Sequence, residues 1–265
     1  APVSSDCNLD LKRLDKCISK KTKALIVIHM RGYPCDFSEI IPKFKSLKIP
    51  IIEDCSQCFG GMIDGNRVGH LGDYSTMSFQ YNKIITAGEG GAVMMNDEGS
   101  HEKCVRFHNL GMDRKVGEDP TKTNDPIGPG SIVSVGLNYR MSEITASVAL
   151  AQLNKIKKII SGCKSNWDKA LKMLESLIEK DFIIPRNISN LATPNYAFLG
   201  FKRNENISHE EVLKIFSELN IPFEHVNLKD SHHFEVWKFF LNKEKYPYKD
   251  MSDDIMGNME DPEEN

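Results

Sequence analysis

The sequence lacks an apolar run long enough to cross a membrane, and it carries little net charge. A membrane-spanning helix needs ~18 or more consecutive apolar residues, and no run in this 265-residue chain reaches that length. The formal net charge of -3 gives no electrostatic reason to expect nucleic acid or an anionic membrane as a partner. The N-terminal segment APVSSDCNLD has neither the basic nor the apolar region of a signal peptide. These absences predict a cytoplasmic globular protein.

Nucleotide-binding fingerprints are also missing. Neither GxGxxG nor GxxxxGK[ST] occurs, and GEGGAV at 88–93 has a different spacing and precedes a predicted strand. The cysteines are seven in number, which is odd, and their spacing is irregular. This usage is typical of reduced thiols rather than of a disulfide framework. Cys55 and Cys58 form a CxxC, but no second pair at suitable spacing completes a zinc site. We therefore expect small buried side chains there and no metal.

Four short apolar runs are present and predict strands at 23–29, 49–54, 74–79 and 90–96. Such continuous runs are typical of strands that are buried on both faces. Between the first two runs, apolar residues at helical spacing predict a helix over 36–47, where Asp36 and Glu39 have capping-box spacing and Pro42 conflicts with a regular helix. The order strand, helix, strand predicts an α/β layer with a mostly parallel sheet.

The rest of the chain alternates loops, helices and one further strand. Residues 111–136 are rich in Gly, Pro and Asp and predict a long loop. Helices are predicted over 141–160, with Ser142 as cap, over 165–179, and over 208–220, with Ser208 as cap. The segment NYAFLGF at 195–201 predicts a strand. We expect a smaller C-terminal α/β domain over 161–250 and an acidic solvated tail over 251–265.

Lys83 is the first candidate for chemistry. Most lysines are solvated surface groups, but Lys83 follows a predicted strand and precedes GEGG, where the backbone can approach a ligand closely. A lysine that is partly removed from water at such a strand end is a nucleophile. His29 also ends a predicted strand, although a hydrogen-bonded structural histidine is the commoner case.

Three further candidates lie at or just after predicted strand ends. Ligands of open α/β sheets bind at the carboxyl ends of the strands. Asp54 ends IPIIED, and Gln57 lies three residues further on, so one short turn can aim both side chains into a cleft. Ser78 lies five residues before Lys83 and can donate to a phosphate. Acidic residues at strand ends also serve as caps or turn formers, and both interpretations stay open.

In chain order, several segments resemble the DegT/DnrJ/EryC1/StrS family of sugar aminotransferases, which use pyridoxal phosphate and have fold type I. The segments are KTKALIVIHMRGYPCDF, IIEDCSQCFGG, GHLGDYSTMSFQYNKIITAGEGGAVMMND and LNYRMSEITASVALAQLNKI. The resemblance covers about residues 1 to 160 and implies that they form the remaining part of the cofactor-binding large domain, a mostly parallel sheet between helices. It further implies a truncated chain without the family's usual N-terminal part, which carries a phosphate-binding GT-x-AL segment.

The resemblance also assigns roles to the four candidates. Lys83 matches the lysine that forms a Schiff base with pyridoxal 5'-phosphate. Asp54 matches the carboxylate that pairs with the pyridinium nitrogen. Gln57 matches the glutamine near the phenolic oxygen, and Ser78 matches a serine that binds the phosphate. Related dehydratases carry histidine at the lysine position, so Lys83 favours amino transfer.

A further match implies a homodimer. The NYR of LNYRMSEI resembles a segment that reaches the cofactor of the neighbouring subunit, which implies that Asn138 and Arg140 bind cofactor across an interface. The implied reaction moves an amino group from an amino acid, with glutamate as the expected donor, to a keto-sugar or nucleotide-linked keto-sugar. The alternatives are a truncated, catalytically impaired member of the family and a binding protein that reuses the fold.

Overall fold

A computed structural model of the chain describes residues 1–112 and 132–221. The chain divides into two compact units, Ala1–Asn206 and Ile207–Asn265. In the second unit the described residues contain one helix, His209–Glu218, and its predicted cap is confirmed because the Ser208 side chain accepts a hydrogen bond from the N–H of Glu211. The domain boundary after residue 160 stays a prediction. The tail at 251–265 lies outside the described residues.

A four-stranded sheet forms the centre of the first unit. Its strands are β1 Leu25–Ile28, β2 Ile51–Asp54, β5 Tyr74–Ser78 and β6 Gly91–Met95, in the order β1-β2-β5-β6. The pairs β1–β2 and β2–β5 are parallel, and β6 is antiparallel to β5. The predicted mostly parallel sheet is thus confirmed. Since β5 and β6 are antiparallel neighbours, residues 79–90 form the loop of a hairpin.

Two small sheets hold the other strands of the described residues. These strands are β3 Met62–Ile63, β4 Asn66–Arg67, β7 Ile183–Pro185, β8 Ala192–Thr193 and β9 Phe201–Arg203. One sheet has the order β4-β3-β8, and the other joins β7 to β9. Because β8 pairs with β3, residues near 192 lie beside the chain that follows β2. This pairing brings the later part of the unit to the end of the central sheet.

Among the described residues, one face of the central sheet is more buried than the other. Val27 and Ile51 lie on the buried face and belong to a core with Phe37 and Phe44. On the other face the described residues leave apolar side chains exposed: Ile26 58%, Ile28 43% and Val93 56%. The prediction that these strands are buried on both faces is therefore wrong for the described residues. An apolar run of four or five residues predicts a strand, but it does not predict which other parts of the chain pack on each face of the sheet.

The helix predicted over 36–47 is present but starts later, and a second helix, α2, was not predicted from the sequence. Helix α1 spans Ile41–Leu47 after a short 3-10 turn at Ser38–Ile40, and Pro42 lies in its first turn, where an N–H is not needed. The expected capping box is wrong, because Asp36 accepts from the N–H and hydroxyl of Ser38 while no side chain caps α1. Helix α2, Glu98–His108, is capped by Asp97, which accepts from the N–H of Ser100.

The helix predicted over 141–160 is broken in two. Helix α3 covers Glu143–Leu153, with Ser142 as the predicted cap, and α4 covers Ile156–Glu179. The N–H of Lys155 bonds to the carbonyl of Gln152, three residues back, which tightens the turn between them. The helix predicted over 165–179 is thus the second part of α4. None of the described helices is both long and apolar enough to cross a bilayer.

The strand predicted over NYAFLGF at 195–201 is mostly wrong. Only Phe201 belongs to a strand, β9. Tyr196 has a φ of 61°, which an extended strand does not allow. Asn195 is fully buried, and its side chain bonds to main-chain carbonyls of the segment after β2. The segment 195–200 is therefore an irregular turn that is held in place by the hydrogen bonds of the Asn195 side chain.

Candidate active site

Asp54 and Ser78 lie on one face of the sheet, at the carboxyl ends of two neighbouring parallel strands. Asp54 is the last residue of β2 and is paired with Thr76 of β5. Ser78 is the last residue of β5, two positions after Thr76, so its side chain projects from the same face. Both side chains are partly buried. A carboxylate and a hydroxyl therefore share the sheet edge where ligands of α/β proteins bind.

Lys83 lies in the hairpin loop that directly follows Ser78. The loop is closed at its base, since the N–H of Phe79 donates to the carbonyl of Gly90 at 2.8 Å and the N–H of Ala87 donates to the carbonyl of Phe79 at 2.9 Å. The N–H of Lys83 donates to the carbonyl of Gln80, and the residue is partly buried. Gly90 has a φ of 147°, which glycine adopts without strain. The hairpin thus carries Lys83 at the same end of β5 as Ser78.

A tight turn follows Asp54 and includes Gln57. Oδ1 of Asp54 accepts the N–H of Ser56 at 2.9 Å, and the N–H of Cys58 donates to the carbonyl of Cys55 at 3.0 Å. Oε1 of Gln57 accepts the N–H of Arg31 at 2.7 Å. Arg31 follows the end of β1, so the Gln57 side chain reaches back across the end of the sheet. The amide of Gln57 has a fixed direction in this arrangement.

Behind Asp54, Glu53 forms a buried polar network that sequence reasoning missed. Glu53 is fully buried and points to the opposite face of β2. Its carboxylate accepts a hydrogen bond from Nε2 of His29 at 3.0 Å. Burial alone would raise the pKa of Glu53, but the hydrogen bonds from His29, Gly72 and Gly69 outweigh it and hold the pKa below its usual value. An acidic residue inside an apolar strand was the signal for this network.

His29, Glu53 and Cys55 bring ligand-type atoms within 4.8 Å of one another. Nδ1 of His29, however, accepts the N–H of Cys35 at 3.0 Å, and both oxygens of Glu53 accept hydrogen bonds from the protein. The available lone pairs are therefore engaged by protein donors. His29 is a structural histidine, the commoner of the two interpretations given above.

The CxxC consists of small buried side chains. Cys55 and Cys58 are both fully buried, and all seven cysteines are unpaired. Burial raises the pKa of the Cys58 thiol to about 12 and raises the pKa of the Cys55 thiol as well. Buried thiols of this kind stay protonated and unreactive, so their role here is packing.

Asn138 and Arg140 lie on an exposed segment near the end of α2. Asn138 forms an isolated bridge with Asn109, and the guanidinium of Arg140 donates to Oδ1 of Asn109 at 2.6 Å. Both residues are exposed, and within the described part of the chain no hydrogen bond or ion pair joins them to Asp54, Ser78 or Lys83. Their expected role at a neighbouring subunit's cofactor stays a prediction.

A cleft of about 680 Å³ lies at the opposite end of the strands, where β2 and β5 begin. Its walls include Ile49 and Pro50, which precede β2, and Asp73 and Tyr74 at the start of β5. These residues lie at the amino ends of the strands, whereas Asp54 and Ser78 lie at the carboxyl ends. This cleft is therefore separate from the candidate site.

The chemistry of the candidate site fits pyridoxal phosphate. A carboxylate such as Asp54 suits a protonated ring nitrogen, an amine such as Lys83 suits an aldehyde, and a hydroxyl such as Ser78 suits a phosphate oxygen. Gly88 has a φ of 85° and open space where a Cβ would stand. The site therefore offers one group for each functional part of the cofactor.

The fold and these groups define a class of protein: an α/β protein with a mostly parallel sheet and with a carboxylate, a hydroxyl and an amine near the carboxyl ends of its strands. The model of the DegT/DnrJ/EryC1/StrS aminotransferase family matches residues 3–256. The chain belongs to this family, whose members use pyridoxal phosphate.

Curated relatives and solved structures agree with this assignment. The GDP-perosamine synthase of Escherichia coli O157:H7 is 35% identical over 173 residues, 64% of this chain and 44% of that protein. The GDP-perosamine synthase of Caulobacter vibrioides is 37% identical over 150 residues, 56% of this chain and 37% of that protein. The structure of Helicobacter pylori PseC, an aminotransferase involved in the biosynthesis of pseudoaminic acid, superimposes with a TM-score of 0.74 at 21% identity. That match covers 91% of this chain and 62% of PseC and shows the fold. The chain thus spans less than half the length of these curated relatives.

Proposed function

We propose that this chain is the catalytic-lysine part of a pyridoxal-phosphate-dependent aminotransferase. Its reaction moves an amino group from an amino acid, with glutamate as the proposed donor, to a keto-sugar or nucleotide-linked keto-sugar. The observation that carries the proposal is the placement of Asp54 and Ser78 on one sheet face, with Lys83 in the hairpin that follows. The named activities of the perosamine synthases support the substrate class.

Each residue has a defined task. When bound, the cofactor supplies an electron sink for carbanion chemistry. The Asp54 carboxylate would hold a proton on the ring nitrogen, and the Ser78 hydroxyl would donate to the phosphate. The amine of Lys83 would hold the cofactor covalently and, once free, would move a proton to and from the reacting carbon. The Gln57 amide would donate toward the phenolic oxygen.

We further propose that the protein acts as a homodimer. Helix α3 is mostly apolar and has no distinct polar face, yet none of its residues is buried among the described residues. Ile144 is 80% exposed and Leu150 is 60% exposed. A helix of this composition is normally covered on every side. The exposed Asn138 and Arg140 come shortly before it, which supports a role at a subunit interface. The unpaired cysteines support a reducing, cytoplasmic location.

The test is covalent attachment of the cofactor. The chain is mixed with pyridoxal phosphate, and the visible band of the Schiff base is recorded. Borohydride reduction followed by peptide mass spectrometry should place the cofactor on Lys83. Lys83→Ala should abolish the band, whereas Lys172→Ala, which removes an exposed lysine of α4, should leave it unchanged. Absence of a band from the unmodified chain would contradict the proposal. Addition of glutamate should then convert the band to that of the aminated cofactor.

A further inference from the structure

Asn195 ties together the segments that hold Gln57. The residue is fully buried, and its Nδ2 donates to the carbonyl of Gln57 at 3.1 Å and to that of Phe59 at 3.4 Å. Its own N–H donates to the carbonyl of Gly32 at 3.1 Å. One side chain and one peptide group therefore fix both the turn after β2 and the segment after β1. These are the two segments between which the Gln57 side chain lies.

The segment after β1 fits closely against Asn195. Arg31 has a φ of 55° and Gly32 a φ of 80°, so two consecutive residues adopt left-handed backbone. A Cβ at Gly32 would lie 2.3 Å from Oδ1 of Asn195, which leaves space for glycine alone. This unusual backbone directs the N–H of Arg31 at Oε1 of Gln57. The same segment is held from another side, because the guanidinium of Arg186 donates to the carbonyl of Met30 at 2.8 Å.

The hydrogen bond from Arg31 decides how the Gln57 amide is oriented. A backbone N–H can only donate, so the atom that it contacts is the amide oxygen. The amide nitrogen then points away from Arg31 and is available to donate elsewhere. An amide nitrogen suits an anionic oxygen such as the phenolate of the cofactor, whereas an amide oxygen would repel it.

We infer that Asn195 is a positioning residue that sets the direction of the Gln57 amide. It acts through the turn at 57–59 and through the left-handed segment at 31–32, and it does not itself contact the cofactor. The part of the inference that concerns the phenolic oxygen rests on the proposed function. The part that concerns the Asn195–Gln57–Arg31 connection is independent of it.

The first experiment uses the cofactor-free chain and measures amide hydrogen exchange residue by residue. Asn195→Ala should accelerate exchange of the Arg31 amide about tenfold, because the loss of buried hydrogen bonds opens the segment. Asn195→Asp keeps the shape but not the donor and should have the same effect. The matched control, Asn190→Ala, removes an exposed asparagine five positions earlier, on the other side of β8, and should have none. The amide of Val27 in β1 reports whether the fold is intact.

Two results would overturn the inference in this experiment. One is an Arg31 amide that exchanges at the unmodified rate in both Asn195 variants. The other is equal acceleration at Arg31 and Val27, which would mean a general loss of stability. Gly32→Ala provides an independent variant, because its methyl group would displace Oδ1 of Asn195. It should accelerate the Arg31 amide in the same way.

The second experiment titrates the visible band of the Schiff base with pH. A donor at the phenolic oxygen withdraws charge from it and weakens its hold on the imine proton. Gln57→Leu should therefore raise the midpoint of the titration, and Asn195→Ala should raise it in the same direction. The double variant should shift it no further than Gln57→Leu alone. Independent, additive shifts would overturn the positioning role. An unmodified chain without a band would contradict the proposed function instead, and the exchange experiment would then decide the inference by itself.

Discussion

Nε2 of His29 lies 3.0 Å from Oε2 of Glu53, and solvent reaches neither side chain. Because Nδ1 of His29 accepts a hydrogen bond from the N–H of Cys35, Nε2 carries the proton and donates it to the carboxylate. The carboxylate accepts three more hydrogen bonds, from the N–H groups of Gly69, Leu71 and Gly72 at 2.6 to 2.8 Å. This buried network links β1, β2 and the turn before β5 directly beneath Asp54.

Replacement of Glu53 should be strongly destabilising. Glu53→Gln keeps the volume but leaves a single acceptor oxygen for four donors, and its amide nitrogen faces donors. We expect the free energy of unfolding to fall by about 3 kcal/mol, since loss of one partner in a buried charged network has costs of this size. Urea unfolding followed by circular dichroism measures it. Glu39→Gln, at an exposed position, is the control and should change little. A similar small change in both variants would contradict the structural role of Glu53.

The same network predicts how stability depends on pH. The pKa of Glu53 in the folded chain is held below its usual value, so the unfolded chain binds a proton more readily. The stabilisation is therefore fully present above the unfolded value, about 4.3, and is lost as the pH falls through the folded value. The difference in unfolding free energy between the unmodified chain and Glu53→Gln should shrink over that range. A difference that stays constant from neutral pH down to pH values well below the unfolded value would contradict this assignment.

Much of this arrangement follows from local sequence. Apolar runs located β1, β2, β5 and β6, and the same runs placed Asp54 and Ser78 at strand ends. Glu53 shows what was missed: side chains alternate along a strand, so Asp54 and Glu53 lie on opposite faces and have different roles. In IIED the two acidic residues are neighbours, so their side chains must lie on opposite faces of the sheet. The prediction that this strand is buried on both faces left that difference out.

Long-range contacts account for the elements that sequence could not predict. Asn195 interrupts a run that otherwise has the composition of a strand, because its side chain finds buried carbonyls 136 and 138 positions earlier in the chain. No local pattern reveals such partners. The break between α3 and α4 is similar, since the residues at 154 and 155 are compatible with a helix and only the tightened turn separates the two axes.

Two serines of β5 provide a matched test of the phosphate site. Ser78 lies on the site face, whereas the hydroxyl of Ser75 lies in the core and has no hydrogen-bond partner among the described residues. Ser78→Ala should raise the dissociation constant for pyridoxal phosphate about tenfold or more, because a hydrogen bond to a charged phosphate is worth ~1.5–3 kcal/mol. Ser75→Ala should leave affinity unchanged and should not reduce stability, since an unpaired buried hydroxyl is unfavourable. Equal weakening of binding by both variants, measured by absorbance titration, would contradict the assignment of Ser78.

The apolar surface of α3 predicts an assembly that a single charge can weaken. Leu150 is 60% exposed on a helix without a polar side, whereas Met173 is 63% exposed on α4, which buries Trp167 and Leu174 on its other side. If α3 lies in the proposed dimer interface, Leu150→Glu places an unpaired charge there. We expect the interaction to weaken by about 2 kcal/mol, or roughly thirtyfold in the dimer dissociation constant.

Met173→Glu adds the same charge at a similar exposure and should leave the dimer intact. Sedimentation velocity over a range of protein concentrations distinguishes the two variants. A monomeric unmodified chain at all concentrations would contradict the dimer, and equal dissociation by both variants would exclude α3 as its interface.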